Sequence, residues 1–267
     1  MNIREIAGHC FINAPFDFLR NHLEEALEMG IQPEIGLEGN TLYDISTREF
    51  SRVARRLHDN GIACTLHAPY YELSVGAIDR HIREVSRKKI SLAFELLEIF
   101  KPESIVCHLG FEENKHGYKE EEWFHYNLEA WQQLVKQAER NNTPVMLENT
   151  YETSPEQHKK ILAAIDSPYA RFCLDTGHLM AFARDKWQNW LPEMEPWLGQ
   201  LHLHDNHGLR DDHLPMGKGK FDFKGFFAWL RKNEASPLIT LEPHRKSDLE
   251  ESLLALDHYY IQPDKTI

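Results

Sequence analysis

Residues 81–110 read HIREVSRKKISLAFELLEIFKPESIVCHLG, and two periodicities meet in them. Over 81–100 the apolar residues Ile82, Val85, Leu92, Leu96 and Ile99 recur mostly at threes and fours, the spacing of one helix face. After a polar turn, ESIVCHLG (103–110) is a short β-rich run that ends in a histidine. A helix that feeds a strand closing on an ionisable residue is the unit from which the rest of the chain is built.

Seven more β-rich runs are spaced along the chain: IREIAGHC (3–10), QPEIGLE (32–38), IACTLHA (62–68), TPVMLENT (143–150), ARFCLDTG (170–177), GQLHLHDN (199–206) and PLITLEP (237–243). Helical spacing returns between and after them, at Ile161, Ala164 and Ile165, at Phe226, Phe227 and Leu230, and at Leu249, Leu253 and Leu256. Strands alternating with helices predict βα units and a parallel sheet. Eight units suit an α/β fold of the closed (β/α)8 TIM-barrel type, which typically takes about 250 residues. No Gly/Ser-rich or Pro-rich linker divides the chain, so one domain spanning 1–267 is expected. The competing fold, a doubly wound open sheet, lacks its GxGxxG fingerprint here.

With 42 acidic and 30 basic residues the formal charge is −12. Nucleic-acid binding rests on phosphate neutralisation by Lys and Arg, and the basic clusters, at 83–89 and 218–220, are short. This argues against DNA as a partner. No apolar run reaches the roughly 18 residues of a membrane span, and the N-terminus lacks a signal-peptide layout, so a cytoplasmic location is expected. Cys10, Cys64, Cys107 and Cys173 are far apart, without CxxC spacing, and read as reduced core residues. Trp123, Trp187, Trp190 and Trp197 read as packing residues. No oligomeric state is assigned from the sequence.

Catalytic groups of a barrel gather at the C-terminal strand ends. Here the third run ends in His67, the fourth in His108, the fifth in Glu148, the sixth in Asp175 followed by His178, the seventh carries His202 and Asp205, and the eighth ends in Glu242. Any one of these alone reads as a solvated loop residue. Together they would bury many ionisable groups at one rim, which is costly unless they are paired or bind metal. Imidazole with carboxylate suits Zn, Mn, Fe or Co. Adding Asp211 and His213 gives nine candidate ligands, too many for one ion, which takes about four. Two or three ions sharing carboxylates, about 3.5–4 Å apart, would use them all.

This ordered set, with its LDTGH, HLHD and D-x-H motifs followed by a G-x-G turn, resembles the xylose isomerase-like TIM-barrel superfamily from Ile6 to Glu242. The match is closest to the endonuclease IV branch (AP endonuclease family 2) and to sugar phosphate isomerase/epimerase-like proteins. The endonuclease IV resemblance implies a trinuclear zinc site. Glu148 would bridge two ions, with His67 and His108 completing one. Asp175, His202 and Glu242 would serve a second, and His178, Asp211 and His213 the third. It also implies hydroxide attack on a phosphoester. The loop after the second run, GLEGNTLYD, carries no Arg or Lys, unlike the DNA-inserting loops of that branch. Tyr70 and Tyr71 are therefore expected at the rim or in a small-molecule pocket.

Two chemistries follow. The leading expectation is hydrolysis of a phosphoester or phosphodiester in a small metabolite, with Arg210, Lys218 and Lys220 contacting phosphate and two or three ions, zinc first. The alternative is sugar or sugar-phosphate isomerisation or epimerisation on one Mn, Co or Mg ion. The resemblance then implies Glu148, Asp175, His202 and Glu242 as ligands, with Glu148 and Glu242 moving a proton as catalytic acid and base. A small phosphorylated or sugar-like substrate is expected under both. A degenerate, non-catalytic barrel would show gaps among the nine positions, and none is visible. His204 is placed as a neighbour that could touch substrate, Asp205 and His207 as supporting residues behind the ligands or bystanders, GKGK (217–220) as a turn with solvated lysines, and His9 at the barrel mouth.

Overall fold

The computed structural model describes residues 1–183 and 185–262. The expected domain bounds, 1–267, include residue 184 and residues 263–267, which lie outside the described residues. Eight parallel strands close into a barrel in sequence order: β1 (Phe11–Pro15), β2 (Gln32–Gly36), β3 (Thr65–His67), β4 (Ile105–His108), β5 (Val145–Glu148), β6 (Ala170–Asp175), β7 (Leu198–Leu203) and β8 (Leu238–Leu241). Helices between them cover the outside, making a single-domain TIM barrel.

Seven of the eight expected strands fall where the sequence put them. The first does not. Ile3–Ala7 is a helix, because Asn2 and Glu5 form a reciprocal capping box: Asn2 Oδ1 accepts from Glu5 N at 2.9 Å and Glu5 Oε2 accepts from Asn2 N at 3.0 Å. The first strand is instead FINAP, eight residues further on from the start of that helix. His9 therefore precedes β1, at the opposite end of the barrel from the mouth expected for it.

The helix Arg80–Glu95 also departs from its expected face. It buries Ser86, Ile90, Ala93 and Phe94, while Ile82 and Val85 are 53% and 60% exposed. The buried set keeps helical spacing, shifted around the axis from the residues that hydropathy alone selects.

Side chains alternate along each strand, and this divides the molecule. Outward-facing apolar residues join the helices in one continuous core, which holds Trp123, Trp131 and Trp190. Inward-facing residues fill the barrel in layers. Val106, Met146 and Cys173 form a small separate apolar layer. Two residues further along the same strands stand His108, Glu148 and Asp175, at the C-terminal rim. Parallel register sets neighbours level with one another, His108 beside Glu148 and Asp175 beside His202. The four cysteines are free and buried, and burial pushes the Cys10 and Cys64 thiols up to about 12. Among the described residues no helix is long and apolar enough to cross a membrane.

His158 is wholly buried against Phe172 and Trp190, and neither ring nitrogen has a hydrogen-bond partner. Burial holds its pKa below the ordinary value. The unfolded chain takes up this proton near pH 6.5 and the folded one resists it. His158 therefore subtracts stability as pH falls below about 6.5 and is neutral in effect above it. The expected result for His158→Phe is a stability difference from wild type that is flat above pH 7. Below pH 6.5 it should move in the variant's favour by up to about 1.4 kcal/mol per pH unit. Urea unfolding across pH 4.5–8 measures it, and a pH-independent difference would refute the assignment.

Candidate metal centre

All nine expected residues stand at the C-terminal rim. His67, His108, Glu148 and Asp175 are the last residues of β3 to β6, and His202 lies within β7. Glu242 follows β8 directly, and His178 lies in the first turn of the helix Thr176–Phe182. Asp211 and His213 come from the loop after β7. Seven of them line one cavity of about 880 Å³, while Asp175 and His202 lie beneath it, fully buried.

Their polar atoms converge in three sets. Glu148 Oε2 lies 3.2 Å from both His67 Nε2 and His108 Nε2. His202 Nδ1 lies 3.3 Å from Glu148 Oε1, 3.0 Å from Glu242 Oε1 and 3.9 Å from Asp175 Oδ2. Asp211 Oδ2 lies 2.9 Å from His213 Nε2 and 3.4 Å from His178 Nε2. The backbone holds the rings for this. Nδ1 of His67 faces Ala68 O at 2.9 Å, that of His178 faces Asn149 O at 3.0 Å, and that of His213 faces Glu242 O at 3.4 Å. Donation to a carbonyl fixes the proton on Nδ1 and leaves Nε2 as the inward lone pair, the arrangement of metal-ligating histidine. His213 takes a left-handed backbone conformation (φ 48°) to do this, strain of a kind that concentrates at functional sites.

The donor set fits a divalent cation. His202 Nδ1 is buried and makes no hydrogen bond, although two carboxylate oxygens lie within 3.3 Å. Groups that close yet unbonded are aimed at a common point rather than at each other. Combinations of three residues that bring ligand atoms within 4.8 Å of one another include His67, Glu148 and His202, and Glu148, Asp175 and His178. Burial pushes the Glu148 carboxyl up, but His202 and His108 outweigh it and hold it well below its usual range. Burial likewise disfavours the charged form of His202, yet Cys173, Glu34, Glu148 and Glu242 keep it well above the ordinary imidazole value.

Three features were not in the sequence expectation. Glu34, inside β2, is fully buried, and its Oε1 lies 3.0 Å from His202 Nε2. Its Oε2 accepts from Thr65, Gln200 and Thr240 at 3.0, 2.7 and 3.0 Å. The signal was present: a carboxylate between Pro33 and Ile35 breaks an otherwise apolar buried strand. So fixed, Glu34 orients His202 from behind. Glu34→Gln is expected to weaken metal binding by about 10–100-fold, the usual effect of losing a ligand's own carboxylate partner. Titration of metal-free protein with Mn²⁺ reads it, and an affinity within twofold of wild type would remove Glu34 from the site.

His204, expected as a neighbour, is part of the cluster. Its Nε2 lies 3.0 Å from Asp175 Oδ2, and its ring stacks on His213 at 3.8 Å. Gly177 makes this possible, because a Cβ there would stand 1.9 Å from the His204 ring. This accounts for the glycine of LDTGH.

Asp205, expected as a supporting residue behind the ligands or a bystander, fills the glycine-rich turn. Its carboxylate accepts five backbone N–H groups, those of Asn206, Gly217, Gly219, Lys220 and Phe221, at 2.8–3.1 Å. Gly219 is required, since a Cβ would lie 2.3 Å from Asp205 Oδ1. Lys218 of the turn pairs with Glu251 at 3.1 Å. Arg210, Lys218 and Lys220, expected to contact phosphate, are not among the described residues lining the cavity. Tyr70 and Tyr71 line it. Tyr70 stacks on His108 with ring centroids 4.4 Å apart.

An eight-stranded β/α barrel with a buried His/carboxylate cluster at its C-terminal rim is an architecture able to hold divalent metal. Residues 23–259 match the model of the xylose isomerase-like TIM barrel family, and the chain belongs to that family. It is 28% identical over 192 residues to the uncharacterized protein MJ1614 of Methanocaldococcus jannaschii, covering 70% of this chain and 73% of that protein. Among solved structures it resembles a D-tagatose 3-epimerase-like protein with a TM-score of 0.81 and 21% identity, covering 93% and 96% of the two chains. It also resembles the TTHB071 protein of Thermus thermophilus, from crystals soaked with ZnCl2, with a TM-score of 0.80 and 23% identity, covering 97% and 100%. At these identities the structural likeness establishes the fold.

Proposed function

We propose that the protein is a divalent-metal-dependent isomerase or epimerase of a small sugar-like substrate. This was the second of the two chemistries expected from sequence. It moves ahead because sugar epimerases and a sugar epimerase-like protein are among the structural neighbours. The observation that carries the reading is the unbonded His202 Nδ1 among the carboxylates of Glu148, Glu242 and Asp175. These four residues would hold the ion. Bound there, a divalent ion supplies Lewis-acid polarisation of a substrate carbonyl and its neighbouring hydroxyl.

The proton is handled by the protein. Glu242 lines the cavity and is slightly more exposed than Glu148, 8% against 1%. Burial raises the Glu242 carboxyl, but His202 and His213 outweigh this and keep it ionised at neutral pH, as a base must be. Glu242 takes the proton from the carbon next to the carbonyl, and Glu148, once it has taken up a proton from a substrate hydroxyl or from water, returns one from the other side. Tyr70 and the strand-end histidines orient hydroxyls.

A second reading keeps one specific observation in its favour. His67 and His108 both address the far oxygen of Glu148, and His178 and His213 both address Asp211. Those two sets flank the central one and would complete a trinuclear hydrolase site. The experiment is incubation of Mn²⁺-loaded protein with a panel of ketohexoses in D₂O, followed by NMR. Deuterium entering a carbon-bound position, and its loss in Glu242→Gln, is expected. No exchange in any ketose, together with metal-dependent release of phosphate from sugar phosphates, would replace this reading with the hydrolase.

A further inference from the structure

The cavity above the metal centre holds more than a monosaccharide. At about 880 Å³ it lies near the top of the range, roughly 300–1,000 Å³, of pockets for drug-sized ligands. Its two ends differ. The inner end is the His/carboxylate cluster. Tyr71, Leu73, Ile78, Ile82 and Phe182 also line the cavity, and Tyr71 and Ile82, 62% and 53% exposed, mark its outer end. Tyr70 and Tyr71 pack on each other with centroids 4.4 Å apart, forming one wall that begins on His108. Exposed apolar side chains gathered in a concave site mark a place where an apolar group binds. The position of Ile82 explains why an apolar residue stands at the outer start of a helix whose buried face lies elsewhere.

The charges argue in the same direction. Among the described residues lining the cavity, Lys115 is the only lysine or arginine, and its Nζ is held by Glu112 at 2.6 Å. Glu38, Glu72 and Glu112 add negative charge to the outer part. Barrels commonly bind phosphate at the loops after strands seven and eight. Here the cradle of backbone N–H groups after β7 is filled by the chain's own Asp205 carboxylate. A phosphate on the substrate would meet carboxylates and a lysine already paired.

We propose that the substrate is an uncharged sugar that keeps a free keto group and carries an apolar ring on another of its carbons. Its polyol sits over Glu148 and Glu242, and its ring lies against Tyr71, Ile78 and Ile82. The proposal rests on the isomerase or epimerase reading for the placement of the sugar end, and of the phosphorylated or sugar-like substrate expected from sequence it keeps the sugar-like alternative.

Calorimetric titration of Mn²⁺-loaded protein with D-glucose, D-glucose 6-phosphate and phenyl β-D-glucopyranoside tests it. The phenyl glucoside should bind at least tenfold more tightly than glucose, and the phosphate no more tightly than glucose. In Ile82→Asp, a change at a half-exposed position, the ratio of phenyl glucoside to glucose affinity should collapse toward one. Tenfold tighter binding of the phosphate, no gain from the phenyl group, or a gain that survives Ile82→Asp would each overturn the proposal. If glucose binds in a metal-dependent way but the phenyl group adds nothing, the sugar-enzyme reading stands and this proposal alone falls. If Mn²⁺ binds, neither sugar does and no ketose exchanges deuterium, both fall.

Discussion

His202→Ala is expected to lower divalent-metal affinity by more than 100-fold and to abolish turnover. The magnitude follows from position. Loss of a ligand's supporting partner costs about 10–100-fold, and His202 is the ligand itself, at the meeting point of three carboxylates. Removing the imidazole also leaves Glu34 and Glu148 buried without their shared partner, a situation that costs about 3–5 kcal/mol in fold stability. Urea unfolding of the metal-free variant separates that loss from the loss of metal. The informative companion is His108→Ala. With a single central ion, metal content stays near one per chain and activity on a ketose is reduced but not abolished, because among the carboxylates His108 addresses the far oxygen of Glu148. With three ions, content falls from near three and activity is lost. Elemental analysis of protein purified without chelator distinguishes the two. A His202→Ala protein that still binds Mn²⁺ within tenfold of wild type would refute the central site.

The barrel was legible because its signal repeats. Each strand run is short and bounded by turns, and the last six end in an ionisable residue, so one misplaced strand did not disturb the count. The misplaced strand shows where pattern reading fails. Residues 3–10 are apolar enough for a strand, but Asn2 and Glu5 at capping-box spacing favour a helix, a local signal outweighed by the search for rhythm. The rim residues were legible for a physical reason: a period of two puts the last inward residue of neighbouring strands level, so strand-end chemistry in the sequence becomes adjacency in space.

Glu34, His204 and Asp205 were not legible in the same way, because their importance lies in what they touch. Glu34 gains its meaning from His202, which is far away in sequence. His204 gains its place from the missing side chain of Gly177. The GKGK turn misled in an instructive manner. Glycines and lysines together suggest an anion site, and the turn does bind an anion, but it is the chain's own carboxylate. Composition identified the chemistry of the cradle without its occupant.

Asp205→Ala follows from that cradle and is expected to cost about 3 kcal/mol or more of stability. Five backbone N–H groups converge on one buried carboxylate. Each donor left unpaired in a buried setting costs about 1–3 kcal/mol, less where water can enter. The consequence for function is larger than the stability change, because Asp205 also anchors the loop that carries Asp211 and His213. Its backbone exchanges hydrogen bonds with Leu214 at 2.7 and 2.8 Å, closing the loop at its far end. When the cradle opens, Asp211 and His213 lose their fixed relation to His178, while Glu148, Asp175, His202 and Glu242, held by the ends of β5 to β8, keep theirs. The variant should therefore unfold at lower urea, be cut by protease between residues 206 and 220, and retain one Mn²⁺ per chain. Asp205→Asn should fall between, because its amide keeps one acceptor oxygen and turns two N–H groups toward the donors of the turn. Unfolding midpoints, limited proteolysis and metal content measured on the three proteins test this order. An Asp205→Ala protein as stable as wild type, with the loop uncut, would show that the glycine-rich turn holds its shape without the carboxylate.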